Sequence, residues 1–339
     1  MLIKAEQRSA DYMNNEVSRF LERIFGCLGM SAWWRWARFK MDGNFSEKNM
    51  DKIFHAREST ESVLDYFLNL IKSKNKFVFR GESCAEDAYP TIMRVNDGQN
   101  FISEEWELLN KFEKYGANYY HVYSPMDFLA CAQHYGLPTR LLDFSYNPLV
   151  ALAFTLYGDS PDDDYHTVRF CKLDDNMLLD NVLRRVDMPP LKNQQYKTLT
   201  EQTKILIEHM TGQSKKREEN KKFDKHDDGN QSVDDIYVPP KNMSGKLMFV
   251  ETSQSNQRII VQQGLFMLPL TLDRDDYLNM LKESTKVVKI HKSLRNDLNK
   301  ELAILGCDMF HLMPDLSSIC TNIKREVMMD IGKEEHGVQ

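Results

Sequence analysis

The sequence predicts an α+β domain: a mixed or antiparallel sheet flanked by helices. Three observations carry that reading. Short β-prone runs recur at "KFVFRGES", "GKLMFVE" and "KVVKIH". Longer segments with apolar residues at three- and four-residue spacing lie among them. Turn and cap residues separate the two kinds, most densely over residues 124–148.

The 339 residues, 42% hydrophobic and 28% charged, suit a soluble protein of one or two domains with a large core. A net charge of −6 argues against a surface that coats nucleic acid generally. No run of about 18 apolar residues exists, so no membrane span is expected. The opening "MLIKAEQRSADYMNNEV" lacks the apolar stretch of a secretory signal. Six cysteines (Cys27, Cys84, Cys131, Cys171, Cys307, Cys320) form no C-x-x-C pair, which points to a reduced, cytoplasmic protein. Nine histidines without metal-ligand spacing give no metal site.

Residues 1–55 read as an accessory helical segment. Within it "SAWWRWARFK" sets Trp33, Trp34 and Trp36 beside Arg35, Arg38 and Lys40. These aromatics either pack the segment onto a core or stack on bases or a membrane surface. The main domain is expected over 56–328, with a charged flexible insertion at about 213–235 and a disordered tail over 329–339.

"STESVLDYFLNLIKS" has helical periodicity, and "SEEWELLNKFEKY" reads as a helix capped by Ser103. "SPMDFLACAQHYG" reads as a helix with Ser124 as N-cap, Pro125 at its first position and Gly136 as its stop. "TRLLDF" is extended, and Asn147 then caps a helix begun by Pro148. Farther on, "QRIIVQQGLFMLPL" reads as a strand, "RDDYLNMLKES" and "SLRNDLNKELAILG" as helices, and "DLSSICTNIKREVMM" as the closing helix.

The polar residues in these apolar settings are the candidates for chemistry. Arg140 and Asp143 in "TRLLDF" are costly to bury unless paired. They form either a structural ion pair or capping network, or the polar floor of a cleft. Arg80, at a strand end before Gly81 and Glu82, suits a phosphate or carboxylate, and equally a salt bridge to Glu82 or Asp143. Arg258, Gln262 and Gln263 satisfy loop backbone or face a ligand. His134 stands at a helix C-terminus, where the dipole favours its charged form. No P-loop, G-x-G-x-x-G or catalytic triad signature is present.

"FRG" at 79–81 with "YPTIMR", "AQHYGLPTRLLDFSYNPLVALAF", "QRIIVQQGLF" and "ELAILGCDMFHLMPDL" together resemble the FRG-domain family, over roughly residues 60 to 325. Phe144 replaces the usual Trp of that family, and Met313 a common Phe. The resemblance implies a bacterial or phage protein, some members being linked to defence or toxin systems. A looser similarity to ADP-ribosyltransferases of the Arg-Ser-Glu type implies an NAD-using transferase or glycohydrolase. NAD would then be the substrate, a protein or nucleic acid the acceptor, and no metal would be needed. In that reading Arg80 clamps NAD, and His134, Thr139, Arg140, Ser145, Asn147, Arg258, Gln262 and Gln263 complete the ligand site. Where that type carries its catalytic glutamate, "RIIVQQG" has no acid, so Glu82 or Asp143, or else Glu251, would have to serve. The alternative is a non-catalytic module that binds a nucleotide or a partner.

Overall fold

The computed structural model describes residues 51–84, 88–95, 101–122, 124–158, 164–179, 198–210, 247–253 and 257–336. The Trp-rich run at 31–40, with the rest of the accessory segment up to residue 50, and the charged insertion at 213–235 lie outside the described residues. Among the described residues no helix is long and apolar enough to cross a membrane.

The described strands are β1 (Lys52–Phe54), β2 (Phe77–Glu82), β3 (Leu142–Ser145), β4 (Tyr165–Lys172), β5 (Met248–Val250), β6 (Gly264–Leu268) and β7 (Lys286–His291). They make one sheet in the order β1-β7-β4-β2-β3-β6-β5. β1 and β7 are parallel and every other neighbouring pair is antiparallel, so the sheet is mixed, as predicted. β1 and β4 are strands the sequence reading did not mark. β4 is an interior strand, and its alternation of buried His166, Val168 and Phe170 with more exposed Tyr165, Thr167 and Arg169 is the period-two signature.

The helices are α1 (Thr60–Lys72), α2 (Thr91–Arg94), α3 (Phe101–Gly116), α4 (Pro125–His134), α5 (Pro148–Tyr157), α6 (Leu199–Met210), α7 (Gln257–Gln262), α8 (Arg274–Ser284), α9 (Arg295–Ile304), α10 (Met309–Leu312) and α11 (Leu316–His336). Local chemistry sets several of their ends. Ser124 Oγ accepts from Asp127 N at 3.1 Å, and Asn147 Oδ1 accepts from Leu149 N at 2.9 Å. Gly136 takes φ +88°, the left-handed conformation that stops α4.

Two expectations are corrected. Ser103 does not cap α3, which begins at Phe101, because burial of the Phe101 ring draws that residue into the helix. "QRIIVQQGLFMLPL" is not one strand: Gln257–Gln262 is helical, Gln263 turns the chain with φ 48°, and β6 starts at Gly264. Ile259 packs on the core while Ile260 and Val261 stay partly exposed, a helical rather than alternating distribution.

On one sheet face, Phe79 and Phe170 stack at 6.0 Å, and Phe67 of α1 packs edge-on to Phe79. A second apolar cluster gathers Trp106, Phe128 and Leu206 of α3, α4 and α6 against Phe266 and Leu268 of β6. A third joins Val78, Leu142, Phe144 and Met267 to Met93 of α2 and Tyr277 of α8.

Candidate ligand pocket

β2 carries the Phe-Arg-Gly triplet, and its three side chains have three different surroundings. Phe79 lies in the aromatic stack. A Cβ on Gly81 would sit 2.1 Å from the Ala151 carbonyl oxygen, so glycine is what lets α5 cross the sheet this closely. Arg80 faces the other side of the sheet, with Val78 and Glu82. β2 and β3 pair at one register position, Phe79 opposite Ser145. Beyond it, Arg80 Nη1 donates to the Asp143 carbonyl at 2.8 Å, spanning the gap where the two strands splay.

The segment 131–147 carries two sets of polar contacts. Gln133 Nε2 donates to Asp143 Oδ1 at 3.0 Å, and Thr139 Oγ1 donates to Gln133 Oε1 at 2.5 Å. Thr139, fully buried, also exchanges hydrogen bonds with Thr91: its N donates to Thr91 Oγ1, and Thr91 Oγ1 donates to its carbonyl. Ser145 Oγ donates to the Gln262 carbonyl at 2.7 Å and accepts from Asn147 N at 2.8 Å. Gln262 Nε2 donates to the Leu312 carbonyl at 2.8 Å, and the Gln263 carbonyl accepts from Tyr146 N at 3.0 Å. The structure thus brings Arg80, Thr139, Asp143, Ser145, Asn147, Gln262 and Gln263 into one region.

Arg140 lies elsewhere. Glu105 on α3 holds it from below, and the guanidinium also stands over the Trp106 ring at 5.4 Å. Of the two readings kept open for this arginine, the buried ion pair is the one observed. Arg258 approaches Asp315 at 4.0 Å, with His134 in electrostatic range of both. Burial, with help from the Arg258 guanidinium, holds His134 below its ordinary pKa, so the charged form expected from the helix dipole is disfavoured. Glu251, the remaining acid, accepts from Tyr146 Oη at 2.5 Å.

Glu82 lines a sizeable pocket. Its carboxylate, 4% exposed as a residue, takes two hydrogen bonds from Arg169, Nε to Oε1 at 2.6 Å and Nη2 to Oε2 at 3.0 Å. Arg169 Nη1 donates to Thr285 Oγ1 at 2.9 Å. This pair is part of the wall of a pocket of about 500 Å³, which also has Ser83, Cys84, Asp51, Asp164, Lys282 and Lys289 among its lining residues. The volume suits a nucleotide-sized ligand.

The pocket lining carries three acids and three cations, and two of the acids are also paired with lysines just outside it, which leaves positive charge in excess. Each acid has a cation of its own: Glu82 has Arg169, Asp51 has Lys286 at 3.6 Å, and Asp164 has Lys292 at 2.8 Å. The bond from Lys292 holds the Asp164 carboxyl below the usual range. Lys282 and Lys289 form no ion pair among the described residues, so the mouth carries two uncompensated positive charges. Arg169, Lys282 and Lys289 were missed from sequence. Arg169 was within reach, because "YHTVRFCK" alternates; the lysines carry no local signal. Among the described residues no group of His, Cys, Asp and Glu is placed to hold a metal ion.

Neither a curated protein nor a solved structure matches the chain. The FRG domain profile matches residues 75–164, from the start of β2 to the threshold of β4. That span holds the Phe-Arg-Gly triplet, the Gln133–Thr139–Asp143 relay and Arg140, and the chain accordingly carries an FRG domain over residues 75–164.

Proposed function

We propose that the domain is a binding module for a small anionic ligand, a nucleotide or another phosphate- or carboxylate-bearing molecule, taken up in the pocket beside Glu82. The observation that carries this reading is the charge imbalance: every acid of the pocket is paired, while Lys282 and Lys289 have no ion-pair partner among the described residues. An anion entering there meets two lysines at the mouth and, on the wall, the edge of a guanidinium already oriented by Glu82 and Thr285. The FRG segment supplies the scaffold, with Gly81 and the 131–147 contacts fixing β2 and β3.

A second reading is favoured by Glu82 itself, an acid on a pocket wall. It is ADP-ribosyl transfer from NAD, or NAD hydrolysis, with Glu82 steadying the ribosyl cation. It requires the carboxylate to leave Arg169, which now takes both of its oxygens. The binding reading needs no such rearrangement.

The test is a thermal-shift panel of ATP, NAD, ADP-ribose, inorganic pyrophosphate and citrate, with nicotinamide release followed in parallel. A ligand at 100 times its Kd stabilises the folded protein by about 2.7 kcal/mol, a readily seen rise in Tm. At least one anion is expected to produce that rise without nicotinamide release. Release by wild type, absent in Glu82→Gln, would transfer the assignment to the enzymatic reading. No shift with any of the five would overturn the pocket assignment.

A further inference from the structure

We propose that the ligand of the pocket beside Glu82 is a nucleotide, with its base packed against Tyr165 and its phosphates met by Lys289, Lys282 and Arg169. The proposal rests on the anion-binding reading above and adds the part of the ligand that carries no charge.

The placement follows from the register of the sheet. Tyr165, Thr167 and Arg169 alternate along β4, so their side chains leave one face, and all three line the pocket. Lys289 of β7 pairs with Thr167, midway along that row. The floor therefore runs from an aromatic ring, past a lysine, to a guanidinium. Four residues of strand separate its ends, about 13 Å at roughly 3.3 Å per residue. An inorganic anion or a small carboxylate occupies one end of such a floor. A base, a ribose and a phosphate chain laid along it reach both.

Each end is held ready. Tyr165 is half-buried, its Oη lies 3.3 Å from His55 Nδ1, and its ring meets that of His291 at 84° with centroids 5.4 Å apart. A ring fixed in this way loses little freedom when a base packs on it. Asp164 beside it is neutralised by Lys292, which keeps this end free of net charge. At the other end Glu82 and Thr285 engage three of the five guanidinium N–H groups of Arg169, and among the described residues two are left to donate. Lys282 stands in the last turn of α8, three residues before Thr285, and adds its charge there. Every base has a π-face, so Tyr165 distinguishes nucleotides from simple anions rather than one base from another.

The experiment is a calorimetric titration of the full chain with ADP, CDP, ribose 5-phosphate and inorganic pyrophosphate. Wild type is expected to bind ADP and CDP about tenfold or more tighter than the two base-free probes. Tyr165→Leu should remove most of that difference and leave pyrophosphate binding unchanged, which also shows that the variant is folded. Tyr165→Phe, which keeps the ring, should bind ADP as wild type does. In proton NMR the base resonances of ADP should shift on binding to wild type and to Tyr165→Phe, through the ring current. Equal affinity of wild type for ADP and pyrophosphate would overturn the proposal and leave the anion pocket standing, and this comparison decides even if Tyr165→Leu does not fold. A preference for ADP that a folded Tyr165→Leu protein retains in full would overturn it as well. Binding of none of the four probes would overturn both readings.

Discussion

Glu105 of α3 accepts three hydrogen bonds from Arg140: one from its backbone N at 2.9 Å and two from its guanidinium, at 2.8 and 2.6 Å. Both residues are sealed from solvent. Solvation of each charge is lost, so the pair is stable only while it is complete. Arg140→Met leaves an orphaned carboxylate and should lower the unfolding free energy by about 3–5 kcal/mol. Arg140→Met/Glu105→Gln removes that charge and keeps an acceptor for the Arg140 N–H. It should recover roughly half of the loss, read as the shift in urea midpoint at constant m-value.

Gly81→Ala places a methyl group against the backbone of Ala151 and Thr155, which cannot swing aside as a side-chain tip would. Either α5 lifts from the sheet or β2 shifts. The expected cost is about 2 kcal/mol or more, with Arg80→Ala, which adds no atoms, costing less. Thermal melts of the two variants make the comparison.

His134 gives a pH dependence with a definite sign. Burial first, and then Arg258, depress its folded-state pKa from the ordinary 6.5. The unfolded chain therefore binds the extra proton more readily. The stability contributed by the neutral imidazole is full above about pH 6.5 and is lost as pH falls below it. Melting temperature should decline from about pH 7 to about pH 5, and His134→Gln should flatten that decline.

Burial pushes the Cys171 thiol up to about 12 and the Cys307 thiol up to about 11. Neither should react with a thiolate-selective disulfide reagent at neutral pH until the protein unfolds. Cys320, exposed on α11, should be labelled in the native state, and mass spectrometry of the adducts reads the order.

What was legible in the sequence was what short-range chemistry decides. Ser124, Pro125, Gly136, Asn147 and Pro148 act within a few residues of themselves, and the boundaries they mark are the observed ones. Where tertiary packing decides, local pattern misled. The Ile259–Ile260–Val261 run has β-prone residues, yet only Ile259 finds a core, and a helical turn with the kink at Gln263 results. The site was legible in part. Glu82 stands on the pocket wall, but its charge partner comes from β4, and Lys282 and Lys289 come from α8 and β7. Such pairings follow from the sheet order, which no local window contains. Arg140 shows the same limit: its need for a partner was plain, and Glu105, 35 positions away, was not.

The most direct measurement is a calorimetric titration with whichever anion gives the largest thermal shift, comparing wild type with Lys282→Ala/Lys289→Ala. Both lysines are exposed, so the variant should fold as wild type does. Saturable one-to-one binding by wild type, weakened about tenfold or more in the variant and weakened in wild type by added salt, is the predicted result. Equal affinity in the two proteins would place the ligand elsewhere and contradict the assignment of this pocket.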